Sequence, residues 1–448
     1  MKSNRRNFLK VSGLAGLGMS GITSLESFAT GISSESSGNF AGDKFGFIIT
    51  PPMREAYQTA LSILKPTPKQ LEHGLELHRN SVVVDSYGFM PRAALDGERM
   101  KLAIESDASP LEIQDLQEDM SMTRFVHHER EKQEFMNAWK ASGVTCVVQN
   151  AGEEGNEISR LLKRLSRFTY ATDWMKDFLG KAVVPADIIK AKSENRHALY
   201  FTGNGVPLPQ DWVSAEEELR YIRVFFQLGI RMMHLTYNRN NMIGGGCGEQ
   251  GDFGLSDFGR AVVKEMNRVG VIVDISHSGW QTSLEAAQLS AKPMVASHST
   301  VSSLYEHFRG KPDPVIRAIA DTDGYLGICC IPQYLGGSGD IASMMNHIDY
   351  MVKKFGSNHV AIGTDVAYTS QYSIAENKKI PPYRRPRTRW EALWPVDDFK
   401  QTPEMAQSMA WTNWPLFTVG MVQLGYADQE IQKILGGNVI RVATSALG

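Results

Sequence analysis

From about residue 80 onward, short β-branched apolar runs alternate with longer stretches whose apolar residues recur at helical spacing. That alternation argues for repeated strand–helix units around a parallel sheet. Eight runs read as strands: 81–85, 143–149, 197–202, 231–236, 271–276, 293–297, 325–331 and 359–364. Each is mostly apolar on both faces, as a strand covered by helices must be, and each ends at a polar residue or a glycine-containing turn. Eight such units predict an α/β fold, a closed (β/α)8 TIM barrel. The helices are legible too. Val262, Val263, Met266 and Val269 share one face of a helix opened by Ser256 and stopped at Gly270, and Ala215–Leu228 ends in the same way before Gly229. Residues 56–65 and 69–79 read as helices of a lead-in spanning 30–80. The barrel and its closing helices occupy 81–448, with 403–424 and 427–446 as two terminal helices, Thr402 as an N-cap and Pro403 at the first position. A Pro/Arg/Trp-rich insertion at 377–401 follows the last strand, placed to cover the barrel mouth.

Residues 1–29 do not belong to this pattern. Arg5 and Arg6 precede Asn7-Phe8-Leu9-Lys10, a short glycine-rich apolar stretch and then small residues, the layout of a twin-arginine export signal. No stretch reaches the ~18 apolar residues of a membrane span. The reading is therefore an exported protein, periplasmic or otherwise extracytoplasmic, that uses the twin-arginine machinery and does not span the membrane once mature.

Composition narrows the function classes. At 448 residues, 42% hydrophobic and 21% charged, the chain can bury a large core without staples. A net charge of -2, a pI near 6.6 and no dense Lys/Arg run exclude a nucleic-acid partner. Cys146, Cys247, Cys329 and Cys330 form no C-x-x-C pair and read as buried thiols. His127-His128 falls in a charged helical segment and reads as surface; Gly244–Gly248 reads as a mobile loop near the mouth, and Arg384-Arg385-Pro386-Arg387 as a solvated turn.

In a barrel of this class, chemistry sits at the C-terminal ends of the strands. That rule selects Tyr87, Asn150, Thr202, Tyr237, His277, His298, Gln333 and Asp365. His277 and His298 end consecutive strands ~4.8 Å apart, so two inward imidazoles can share one divalent ion. Asp365 faces them from two strands further round, placed to ligate the ion or move a proton.

These residues carry a resemblance. The stretch from Gly254 to Gly270, continued by Val-Asp-Ile-Ser-His277, resembles the membrane (renal-type) dipeptidase family of zinc metallopeptidases. So do Leu235-Thr236-Tyr237, Ser297-His298-Ser299 with His307-Phe308-Arg309, and the segments 359–365 and 437–442. The resemblance runs from about Asp85 to the C-terminus. It implies a metallo-dependent hydrolase barrel, a small peptide-like substrate, and a homodimer formed through exposed helices. It also implies His277 and His298 as metal ligands, Asp365 as the proton-transfer residue, and Arg309 as the group seating the substrate's carboxylate. Where the family has its strand-one His and Asp, its bridging Glu and a substrate-contacting His, this chain has Tyr87, Phe89, Thr202 and Tyr237. A two-zinc centre is therefore not expected. One reading is a hydrolase with one ion at most, zinc or another divalent metal, at His277 and His298, completed by waters and by Asp365 or Tyr87. The other is a metal-free pocket in which Tyr87, Thr202 and Tyr237 join the histidines and Asp365 to bind or tailor a peptide-like metabolite.

Overall fold

In a computed structural model of the chain, the described residues are 47–152, 156–383, 393–395 and 397–448. The export signal, the first part of the lead-in and the Arg384–Arg387 turn lie outside them. Ten strands form one parallel sheet: Val84–Gly88 (β1), Cys146–Asn150 (β2), Leu179–Lys181 (β3), His197–Gly203 (β4), Ile230–His234 (β5), Ile272–Asp274 (β6), Val295–Val301 (β7), Gly310–Lys311 (β8), Tyr325–Ile328 (β9) and Val360–Ile362 (β10). The order is β1-β2-β4-β5-β6-β7-β9-β10, with β3 beside β4 and β8 beside β7. The exit of β10 returns to β1, where Asp365 N donates to Tyr87 O at 3.0 Å and Thr364 N to the Asp85 carboxylate at 2.9 Å. The sheet thus closes as a (β/α)8 barrel with every expected strand present.

Alternation within the strands divides the core. Cys146, Val148, Ala198, Tyr200, Met232, Ile272, Val295 and Tyr325 pack together inside the barrel, while Val147, Leu199, Phe201, Met233 and Val273 pack under the helices. Val439, Val442, Ala443 and Ala446 of the helix Asn438–Leu447 join the inner cluster. They plug the barrel's N-terminal end, leaving the C-terminal mouth for chemistry.

The helices Asp257–Val269 and Ala215–Leu228 follow the sequence pattern. Ser256 accepts from Gly259 N at the first, and Gly270 and Gly229 end the two helices with φ of 94° and 113°. Five expectations change. β1 begins and ends later than 81–85, so Tyr87 lies inside the strand rather than beyond it. β7 runs on through His298 because β8 pairs with its far end, Thr300 with Gly310 and Val301 with Lys311. The segment 403–424 is not one helix: Pro403–Ser408, a 3-10 turn Trp411–Asn413 and Trp414–Gln423 follow one another, with Asn413 Nδ2 bonding the carbonyls of Ala56, Gln407 and Ser408. The segment 427–446 is likewise subdivided, by a π-turn at Lys433–Gly437. Gly244–Gly248 is packed rather than mobile. Gly246 bridges to Ser278, and a Cβ on it would come within 2.3 Å of the Asn238 backbone. All four cysteines are buried free thiols. Among the described residues, no helix is long and apolar enough to cross a membrane.

Candidate metal centre

Three imidazoles converge at the mouth. His234 is the last residue of β5, His277 lies three residues past β6, and His298 lies within β7. Register explains the convergence: β5, β6 and β7 are consecutive in the sheet, with His234 opposite Asp274 and Asp274 opposite Val295. One nitrogen from each ring lies within 4.8 Å of the others. The Nε2 atoms of His277 and His298 are 3.0 Å apart. His277 Nδ1 faces Asn238 Oδ1 at 2.7 Å, and an amide oxygen can only accept, so that nitrogen carries the proton. The hydrogen between the two rings then belongs to His298, whose Nδ1 accepts from Ser297 Oγ at 2.8 Å. Burial, followed by the nearby Arg309 charge, pushes both imidazoles well below their ordinary pKa, so both are neutral.

Two tyrosines flank the pair. Tyr87 stacks on His298 with ring centres 3.7 Å apart, and Tyr237 stacks on His277 at 4.0 Å. The Tyr87 hydroxyl donates to Asn204 Oδ1 at 2.5 Å. Trp394, from the insertion, stands edge-on to Tyr237 and His277 with centres 6.1 Å away, so this part of the insertion does lie over the mouth.

Beneath the rings lies a carboxylate absent from the sequence-level candidates. Asp274 Oδ1 accepts from Ser276 N, Ser276 Oγ and Ser297 N. Its Oδ2 faces His234 Nε2 at 2.9 Å, and among the described residues neither of these buried atoms has any other partner. His234 Nδ1 faces the Gly203 carbonyl at 2.9 Å, so both ring nitrogens face oxygen atoms. Burial pushes the Asp274 carboxyl up, but His234 outweighs it and holds the group well below the usual carboxylate range.

Arg309 is not open to a ligand. It is 0% exposed, and its two terminal nitrogens donate to the carbonyls of Ser276 and His298 (3.0 Å for the latter), clamping the strand ends that carry the histidines. Lys311, equally buried, donates to Ser278 O at 2.6 Å. Thr202 is buried with its hydroxyl on Met232 O at 3.1 Å, away from the imidazoles' hydrogen bonds. Asp365 adopts a left-handed backbone, φ 56°. Burial pushes its carboxyl up to about 6, against the pull of Arg309, His234 and Arg92.

Of the expected site residues, Tyr87, His298, His277 and Tyr237 therefore form a continuous chain of contacts in that order. Asp365 interacts electrostatically with the same cluster, Thr202 satisfies the backbone, and Arg309 braces it. The donors do not fit two ions, since Tyr87, Phe89 and Thr202 themselves carry neither a carboxylate nor an imidazole. They do fit one. Neutral imidazoles suit zinc, and His234, His277 and His298 offer one ring nitrogen each within 4.8 Å of one another. His234 and Asp274 had one signal in the sequence: each is an ionisable residue inside an otherwise apolar strand, where burial demands a partner.

A family model described as membrane dipeptidase, peptidase family M19, matches residues 72–376. The dipeptidase tcpJ of Claviceps purpurea is 27% identical over 227 residues, 49% of this chain and 46% of that protein. The dipeptidase verJ of Clonostachys rogersoniana is 28% identical over 227 residues, 50% of each chain. The chain thus spans about half the length of these curated relatives. An amidohydrolase structure from Pseudomonas aeruginosa shares the fold, with a TM-score of 0.60 and 24% identity over 84% of this chain and 99% of that one.

Proposed function

This chain belongs to the membrane dipeptidase family, and from that membership we propose an exported hydrolase that cleaves the amide bond of dipeptides or related small amides, using one divalent ion held by His277 and His298. The observation that carries the reading is the convergence of two neutral imidazoles, Nε2 to Nε2, at the catalytic end of the barrel. When bound, a divalent ion supplies Lewis-acid polarisation of the scissile carbonyl and makes its water acidic enough to act near ~pH 7. The chain's own residues do the rest. Asp365, with a carboxyl poised near 6, takes a proton from the attacking water and returns it to the departing amine. Arg309 and Lys311 hold the three carbonyls at the strand ends and so fix the imidazoles. Tyr87 and Tyr237 keep the two rings from turning and exclude water from their faces.

Zinc is the ion the donors favour, and the test is elemental analysis of the purified protein beside a dipeptide screen. One equivalent of metal, lost together with hydrolysis in His277→Ala and in His298→Ala, is the expected outcome; hydrolysis that survives loss of the metal would overturn it. A second reading has its own observation: the two Nε2 atoms are already hydrogen-bonded to each other, and Tyr87 lies flat on one ring. On that reading the pocket binds or tailors a peptide-like metabolite without metal, chelators change nothing, and Tyr87→Phe impairs ligand binding.

A further inference from the structure

We propose that His234 is the third protein ligand of the ion, making a three-imidazole site with Asp274 as its buried counter-charge. This rests on the single-ion reading above. The ring geometry carries it. An ion bonded at ~2.0–2.1 Å to three imidazole nitrogens in tetrahedral array sets the ring centres roughly 5 Å apart. Here His277 and His298 are 5.0 Å apart, His234 and His277 5.3 Å, and His234 and His298 5.4 Å. His234 stands at 88° to one partner and 89° to the other, and one nitrogen from each of the three rings lies within 4.8 Å of the others.

The other candidate donors are engaged elsewhere. Tyr87 gives its hydroxyl to Asn204, and Thr202 gives its own to Met232 O. His234 is anchored through Nδ1 to the Gly203 carbonyl, the backbone contact that commonly orients a ligating histidine and leaves Nε2 for the metal. Among the described residues that Nε2 has no partner besides Asp274 Oδ2, 2.9 Å away. An ion bonded at Nε2 would keep the Asp274 carboxylate beside it as a counter-charge. Three neutral imidazoles and one carboxylate around a dication leave a single net positive charge, which matters beside the buried Arg309 and Lys311. Three protein ligands with one position open is also the arrangement of catalytic zinc, which two imidazoles alone do not reach.

The test uses the full metal-free protein with cobalt(II) as the probe, counting coordinated imidazoles by X-ray absorption. Three imidazoles per cobalt in the wild-type protein, with affinity at least tenfold weaker in a folded His234→Gln variant, is the expected result. Two imidazoles, with affinity unchanged in His234→Gln, overturns the inference but leaves the single-ion reading standing. No cobalt bound at all removes both. The imidazole count needs no variant, so a misfolded His234→Gln would not obscure the answer.

Discussion

At the level of single residues, the site depends on which groups are held neutral and which are charged. His277 and His298 are neutral because they are buried beside Arg309, a guanidinium that reads from sequence as a substrate clamp and in the fold braces two carbonyls. That placement has a physical cause. β8 pairs with β7 and draws Arg309 under the strand ends, where its terminal nitrogens donate to backbone oxygens. Asp365 carries the pH dependence. Its carboxyl is raised to about 6, so as a base it is competent above that pH and is lost as pH falls through it. A pH–rate profile should show an acid limb near 6. Asp365→Asn should lower the rate by ~10²–10⁴-fold and abolish the limb. A limb that persists in Asp365→Asn would assign the titration to another group.

Among the elements, the strands were the most legible part of the chain and the closing helices the least. A buried parallel strand announces itself by composition, whereas the breaks within 403–424 depend on what Asn413 touches, including the Ala56 carbonyl far away in sequence. The π-turn at Lys433–Gly437 has a similar origin. Gly436 passes so close to the entry of β1 that a Cβ would lie 2.4 Å from Val82 O. One helix pair is fastened by charge. Glu118, on Pro110–Thr123, bonds Arg160, Arg164 and Arg167 of Ile158–Trp174. Burial pushes the Glu118 carboxyl up, but Arg164 and Arg160 overcome it and hold the group at about 2. A carboxyl lowered on folding stabilises above its ordinary pKa of 4.5, and that contribution fades as pH falls toward 2. Glu118→Ala, which strands buried guanidinium groups, should cost ~3–5 kcal/mol near neutral pH. Denaturation midpoints of variant and wild type should approach one another as pH drops below 4.5; a constant gap would mean packing rather than charge is responsible.

For the whole molecule, the lead-in and the closing helices are hydrogen-bonded to one another. His78 in the lead-in bonds Thr418 and the Ser142 carbonyl, and Gln423 bonds Leu64 O. A protein whose termini depend on each other in this way suits an export route that carries folded cargo, which is what Arg5-Arg6 followed by Phe8 and Leu9 suggests. Replacing both arginines with lysine should leave folded protein in the cytoplasm; unchanged export in cell fractionation would reject the twin-arginine route. The sequence by itself determined the (β/α)8 architecture, the mouth at which chemistry sits, and two of the three imidazoles there. These are local properties: apolar alternation, turn residues, and ionisable groups at strand ends. Only the tertiary structure decided that His234 and Asp274 join them, that Arg309 turns inward, and that Thr202 serves the backbone. Those outcomes depend on the register between strands up to 40 residues apart, and a one-residue change of register would turn His234 away from His277 altogether.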